Sequence, residues 1–94
     1  MTEPVVESRG NIFLDLGFPP DEAKVLTMRA DLMIRLKDTI HLRAWTQAEA
    51  ADHLGIRQSR VSDLVRGKWE RFSLDTLVTL AVRAGMQVEL TLAA

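Results

Sequence analysis

Apolar residues change their spacing along the 94-residue chain, and each change marks an element. The first ten residues are polar, mixed and without period, which predicts a flexible tail over 1–10. Asn11 to Phe18 is more apolar and runs into Gly-Phe-Pro-Pro, the pattern of a short strand or turn packed onto the domain. From Pro20 the step becomes three and four: Leu26, Ala30, Met33, Leu36 or Lys37, and Ile40 form a stripe that Met28 and Leu32 widen. Proline suits a first helical turn, and Asp21 and Glu22 favour its positive end. No Gly or Pro interrupts before Gly55, so a long amphipathic helix is predicted to about Arg43.

After a break at Ala44-Trp45, Thr46-Gln47-Ala48-Glu49 has the form of a capping box, in which hydroxyl and carboxylate each satisfy an orphan backbone N–H. The helix it starts is short, because Gly55 follows Leu54. A third helix is expected over about Gln58 to Val65, with Val61, Leu64 and Val65 inward and Gly67 as its stop. Ser73 can cap a fourth, with Phe72 and Leu77 at the two positions of a hydrophobic staple, and Gly85 ends it. The step then becomes two: Met86, Val88, Leu90 and Leu92 alternate with Gln87, Glu89 and Thr91, the signature of a half-buried strand over 86–92. A lone apolar strand is a pairing template. The expected solution is the same strand from a second chain across a two-fold axis, a homodimer with Met86, Val88, Leu90 and Leu92 at its interface; pairing to residues 11–16 is the alternative. The expected architecture is mainly α: four to five helices in a single domain, 11–94, with a C-terminal β-strand.

Composition narrows the function classes. There is no cysteine, hence no disulfide or thiolate metal site, and no apolar run near the length of a membrane span. No secretory signal is visible at the N-terminus, so a cytoplasmic protein is expected. The net charge of −1 gives no hint of a polyanion partner, but its distribution does. Residues 1–56 hold six Lys/Arg against nine Asp/Glu, residues 57–71 hold five against two, and residues 72–94 hold one against two. Positive potential is confined to the third helix and the loop after it, and a local basic patch is what draws nucleic acid to one face of a protein.

Two short helices joined by a glycine turn make a helix-turn-helix candidate. Ala51 is small where the helices approach closest, Gly55 makes the turn, and Leu54, Ile56, Val61 and Leu64 fill the wedge between them. That leaves the other face of the third helix free to enter a groove. On that face lie Gln58, Ser59, Ser62, Asp63 and Arg66, with Arg57 and Arg60 beside them. Glutamine can pair bidentately with adenine and arginine with guanine, while serine can contact several base edges or a phosphate. Thr46, Gln47 and the free N–H groups of the second helix are placed for one phosphate, Lys68 and Arg71 for others. Asp63 is expected to partner Arg60 or Arg66 within the helix.

On Asn11 to Phe18, Thr46-Gln47-Ala48-Glu49-Ala50-Ala51, Leu54-Gly55-Ile56, Arg60 to Leu64 with Gly67, Phe72-Ser73-Leu74 and Gly85 to Leu92, residues 20–92 resemble the lambda-repressor-like helix-turn-helix regulators of the Xre type, most closely the HigA-like antitoxin group. The resemblance implies a helical DNA-binding core with a C-terminal strand used in dimerisation, and repression at an inverted-repeat operator. In many relatives it also implies neutralisation of a toxin encoded next door. It further implies that Gln47 contacts phosphate and that Gln58, Ser59 and Ser62 face the bases. Arg57 departs from the pattern, standing where Ser or Thr commonly caps the recognition helix. A cation there opposes the helix dipole unless a phosphate sits close by, which favours Arg57 as a phosphate ligand.

Other chemistries find less support. Glu49 and His53 lie one helical turn apart, and His41 is nearby, but these do not complete a coordination shell, so no metal and no cofactor are expected. Trp45 and Trp69 read as packing residues, although Trp69 in the basic loop could touch the sugar-phosphate backbone. No nucleophile with a histidine-carboxylate pair and no Gly-rich phosphate loop can be read, so no enzyme is expected. Single-stranded RNA recognition would need an exposed aromatic platform. The expected partners are therefore an operator in duplex DNA, a second copy of the chain and, given the nine carboxylates of the first half, a small basic toxin protein.

Overall fold

A computed structural model describes residues 12–93 of the chain. The expected tail, 1–10, and Asn11 lie outside the described residues. Residues 12–15 form a helical turn, α1, followed by α2 (Pro20–Leu42), α3 (Gln47–Leu54), α4 (Gln58–Val65), a single 3-10 turn (Trp69–Arg71) and α5 (Leu74–Arg83). The four longer helices have the expected boundaries to within a residue or two. The segment after Asn11 is helical where a strand or turn was expected: the Leu16 N–H donates to the Ile12 carbonyl at 3.0 Å, closing one helical turn.

The core explains the spacing of the apolar positions. Met33, Leu36 and Ile40 of α2, Ala50, Ala51 and Leu54 of α3, Val61 and Leu64 of α4, and Phe72, Leu77 and Leu80 at α5 form one buried cluster. Phe13, Ala23 and Leu26 form a second, smaller one, with Phe18 half-buried against it. Trp69 packs on both. Its ring meets Phe13 edge-on at 5.7 Å and Phe18 at 6.4 Å, so the 3-10 turn joins α2 in attaching α1 to the body of the domain.

Helix ends follow one design. The C-terminus of α2 closes with the Trp45 N–H on the Ile40 carbonyl at 3.1 Å and the Ala44 N–H on the His41 carbonyl at 3.0 Å. This is a Schellman motif. It places Ala44 at φ 54°, the only residue other than glycine with positive φ among those described. A left-handed alanine costs about 1–2 kcal/mol, and the two bonds it completes hold it there. Gly55, at φ 69° and ψ 35°, does the same for α3 without the penalty.

The C-terminal segment corrects an expectation. Among the described residues no β-strand occurs, and 86–92 pairs with none of them. Alternation makes a segment extended, but only a backbone ladder makes it a strand. The one internal candidate for that ladder, near residues 12–16, has used its backbone in α1. Of the four apolar positions, only Met86 packs on the main core; its N–H donates to the Ala81 carbonyl at 3.0 Å as part of the cap of α5. Val88 lines a groove beside Leu32 of α2, while Leu90 and Leu92 are 78% and 86% exposed. Among the described residues no helix is long and apolar enough to cross a membrane.

Candidate nucleic-acid interface

The interface begins where α3 begins. Thr46 is extended, at φ −68° and ψ 168°; its hydroxyl accepts from the Glu49 N–H at 3.1 Å, and its own N–H donates to Glu49 Oε1 at 2.8 Å. The capping box read from the sequence is closed on both sides, at about 1 kcal/mol for such a cap. It leaves the N–H groups of Gln47 and Ala48 without an intrahelical acceptor, so two donors aim out of the helix end. Thr46 and Gln47 are exposed beside them.

The turn to α4 is locked from outside the helix pair. Arg83 of α5 reaches across to donate from Nη1 to the Leu54 carbonyl at 2.9 Å. A side chain at Gly55 would bring a Cβ to 3.0 Å from that same Nη1. Glycine is therefore required twice, for its backbone conformation and for the arginine that passes over it. Sequence reading found the turn but missed Arg83, which is distant in the chain and carries only the ordinary signal of a basic residue in a last helical turn.

α4 buries Val61 and Leu64 completely, and Ser62 is half-buried. Gln58, Ser59 and Arg66 are exposed, with no hydrogen bond from their side chains among the described residues. Arg57 is the N-cap of α4, with no side chain accepting from the helix, as its departure from Ser or Thr implies. The Arg60 N–H reaches back to the Arg57 carbonyl at 3.0 Å, and the N–H groups of Gln58 and Ser59 ahead of it have no intrahelical acceptor.

Two of the proposed DNA ligands have duties inside the protein. Arg60 donates from Nη1 to the Arg71 carbonyl at 2.9 Å, and its guanidinium carbon lies 4.2 Å from the centroid of the buried Phe72 ring. Arg71 in turn meets Asp63 at 3.4 Å. Asp63 thus pairs with the loop and not with Arg60 or Arg66 on its own helix, as sequence spacing suggested. The result is a brace that fixes the 3-10 turn, and with it half-buried Lys68, against the recognition helix. Arg57, Gln58, Ser59, Ser62, Arg66 and Lys68 thus lie on α4 and on the residues that flank it.

Two of the three residues weighed for a metal are otherwise engaged: the Glu49 carboxylate caps α3, and the His53 ring stacks on Trp45 at 4.1 Å with an interplanar angle of 11°. The Arg43 guanidinium lies 5.4 Å from the Trp45 centroid. Trp45 is half-buried against the core, a packing role.

No curated protein matches the chain. The family model described as a helix-turn-helix domain matches residues 12–93, nearly the whole length and including α1 and the extended C-terminal segment. With a capped helix, a left-handed turn and an unengaged polar face on the helix that follows, the chain belongs to the helix-turn-helix domain family of DNA-binding regulators.

Proposed function

We propose that the protein is a sequence-specific transcriptional repressor of the Xre type that sets α4 in the major groove of an inverted-repeat operator. The observation that carries this reading is the free polar face of α4, on which Gln58, Ser59 and Arg66 are exposed and unengaged beside Ser62. Gln58 in the first turn reads a base, Ser59 and Ser62 contact base edges or phosphates, and Arg57, Arg66 and Lys68 divide between phosphate and guanine. Thr46, Gln47 and the open N–H groups at the start of α3 take a phosphate. Arg71 stands at the rim, half-neutralised by Asp63, and Arg60 acts as a buttress for the loop.

An inverted repeat calls for two copies, with recognition helices about 34 Å apart. Exposed Leu90 and Leu92, together with Val82 on α5, offer the apolar surface for a homodimer. Gel-shift titration against the region upstream of its own gene tests the reading; absence of site-specific retention at low salt overturns it. Gln58→Ala should relax base preference by about 1–3 kcal/mol at one position of each half-site.

A second reading, that the protein is also an antitoxin regulating its own operon, is favoured by one feature. Ile12 and Leu14 on α1 and Leu16 just after it are exposed in the acidic half of the chain, apolar side chains among carboxylates that suit a small basic protein. A small basic open reading frame directly adjacent supports this; its absence leaves a plain cytoplasmic regulator.

A further inference from the structure

The start of α3 lacks a cation of its own. The helix QAEAADHL carries Glu49 and Asp52 and no Lys or Arg, and the Glu49 carboxylate is held over the Thr46 N–H, at the end where a phosphate would bind. Two open N–H groups and a helix dipole favour an anion by about 0.3–1 kcal/mol, and a carboxylate in the same turn works against them. An anion site there needs positive charge from another element.

α2 supplies it. Lys37 lines a cleft of about 600 Å³ with His41, Trp45, Thr46 and Val65, at the first residue of the capping box. It also lines the adjoining cleft with Ile34, Leu64, Val65 and Arg66, at the last turn of α4. Lys37 and Val65 are shared by both clefts. Lys37 therefore stands beside both the start of α3 and the end of α4. It is exposed and makes no ion pair or hydrogen bond among the described residues. Asp38 lines the first cleft too and opposes it.

We propose that Lys37 is a DNA-phosphate ligand, joining the site at the start of α3 to the one at Arg66, so that the interface includes the outer face of α2. It is the lone Lys or Arg in the first cleft. In the sequence Lys37 falls in the long amphipathic helix, outside the basic block, and charge counting by segment assigns it to the acidic half. The inference rests on the DNA-binding reading, and the experiment separates the two.

The full chain is titrated by fluorescence anisotropy against two duplexes, its own upstream region and a scrambled version, between 50 mM and 200 mM salt. Removing one phosphate contact lowers the slope of log affinity on log salt by about 0.9. The advantage of wild type over Lys37→Met should therefore shrink about 3.5-fold across that range, equally on both duplexes. Lys37→Arg should restore the wild-type slope, and Asp38→Asn should tighten both duplexes. Lys24→Met, at the other end of α2, should match wild type. A Lys37→Met slope equal to wild type, or a loss that Lys24→Met shares, overturns the proposal and leaves the DNA reading standing. Wild type binding neither duplex overturns both. Thermal melts of each variant accompany the titrations, since substitution of exposed Lys37 should leave Tm unchanged.

Discussion

Replacing Arg60 by methionine separates two roles that look alike in the sequence. Its guanidinium donates to the Arg71 carbonyl at 2.9 Å and lies over the Phe72 ring at 4.2 Å. A charge-assisted hydrogen bond of this kind, partly open to water, contributes about 0.5–1 kcal/mol after discounting for solvent. The cation–π contact adds about 0.5–1 kcal/mol. Methionine keeps part of the packing on Phe72 and loses both polar terms, so Arg60→Met should destabilise the domain by about 1.5 kcal/mol. At about 4–8 °C per kcal/mol for a domain of this size, Tm should fall by about 6–12 °C. The assay is calorimetry on both proteins, followed by binding to the operator and to each single-base variant at a temperature where both are fully folded. Base preference should be unchanged and affinity should drop uniformly, because one cation is lost and the loop carrying Lys68 is loosened. A Tm within about a degree of wild type, together with relaxed preference at one base pair by the 1–3 kcal/mol of a lost bidentate contact, would refute this and make Arg60 a base reader.

Three further outcomes can be checked. Ala44→Gly should stabilise the protein by about 0.5–1 kcal/mol, read in urea unfolding, because relief of a left-handed alanine exceeds the extra chain entropy of glycine. Arg83→Met should lower stability by about 1 kcal/mol by uncapping the Leu54 carbonyl, and should weaken operator binding more than an equal destabilisation placed at Phe13, since it frees the turn between α3 and α4. The Asp75 carboxyl sits below the ordinary aspartate range, chiefly through the Ser73 hydroxyl and then its own backbone N–H. Ser73 has one hydroxyl proton, which the Thr76 hydroxyl also contacts at 2.8 Å, so the effect is shared. A depressed folded pKa stabilises above the unfolded value and is lost as pH falls through the folded one. Asp75→Asn should accordingly be less stable than wild type near neutrality, with the gap closing as pH falls through the folded pKa; a gap constant with pH would show that the carboxylate has no part in it.

The helices were legible because their signals are local. Thr46 with Glu49, Gly55 after Leu54, and Ser73 between Phe72 and Leu77 each specify a terminus within a few residues, and all are built as spaced. The strand over 86–92 was misread because alternation reports only that neighbouring side chains face opposite ways; whether a ladder forms depends on a partner, and the nearby apolar segment coils into α1. Site residues divide in the same manner. That Gln58 and Ser59 lie open while Val61 and Leu64 are buried follows from helical period alone. That Arg60 turns to Phe72, Arg71 to Asp63 and Arg83 to Leu54 does not, since these contacts join positions 8–29 residues apart and depend on how whole helices dock.

Trp69 touches both apolar clusters, and the smaller one, with Phe13, Ala23 and Leu26, is tied to the larger both by that ring and by α2, which carries residues of each. A small cluster set apart from the main core can open before the whole domain unfolds. Residues 12–18 should exchange their amide protons through a local opening well below the global unfolding energy, while Leu54, Val61 and Leu64 exchange only with complete unfolding. Because the Trp69 ring stands between Lys68 and Arg71, each such opening also removes one support of the loop beside α4 and leaves the Arg60–Arg71–Asp63 brace to hold it, so whatever grips or frees the first helical turn bears on how firmly that loop keeps its place.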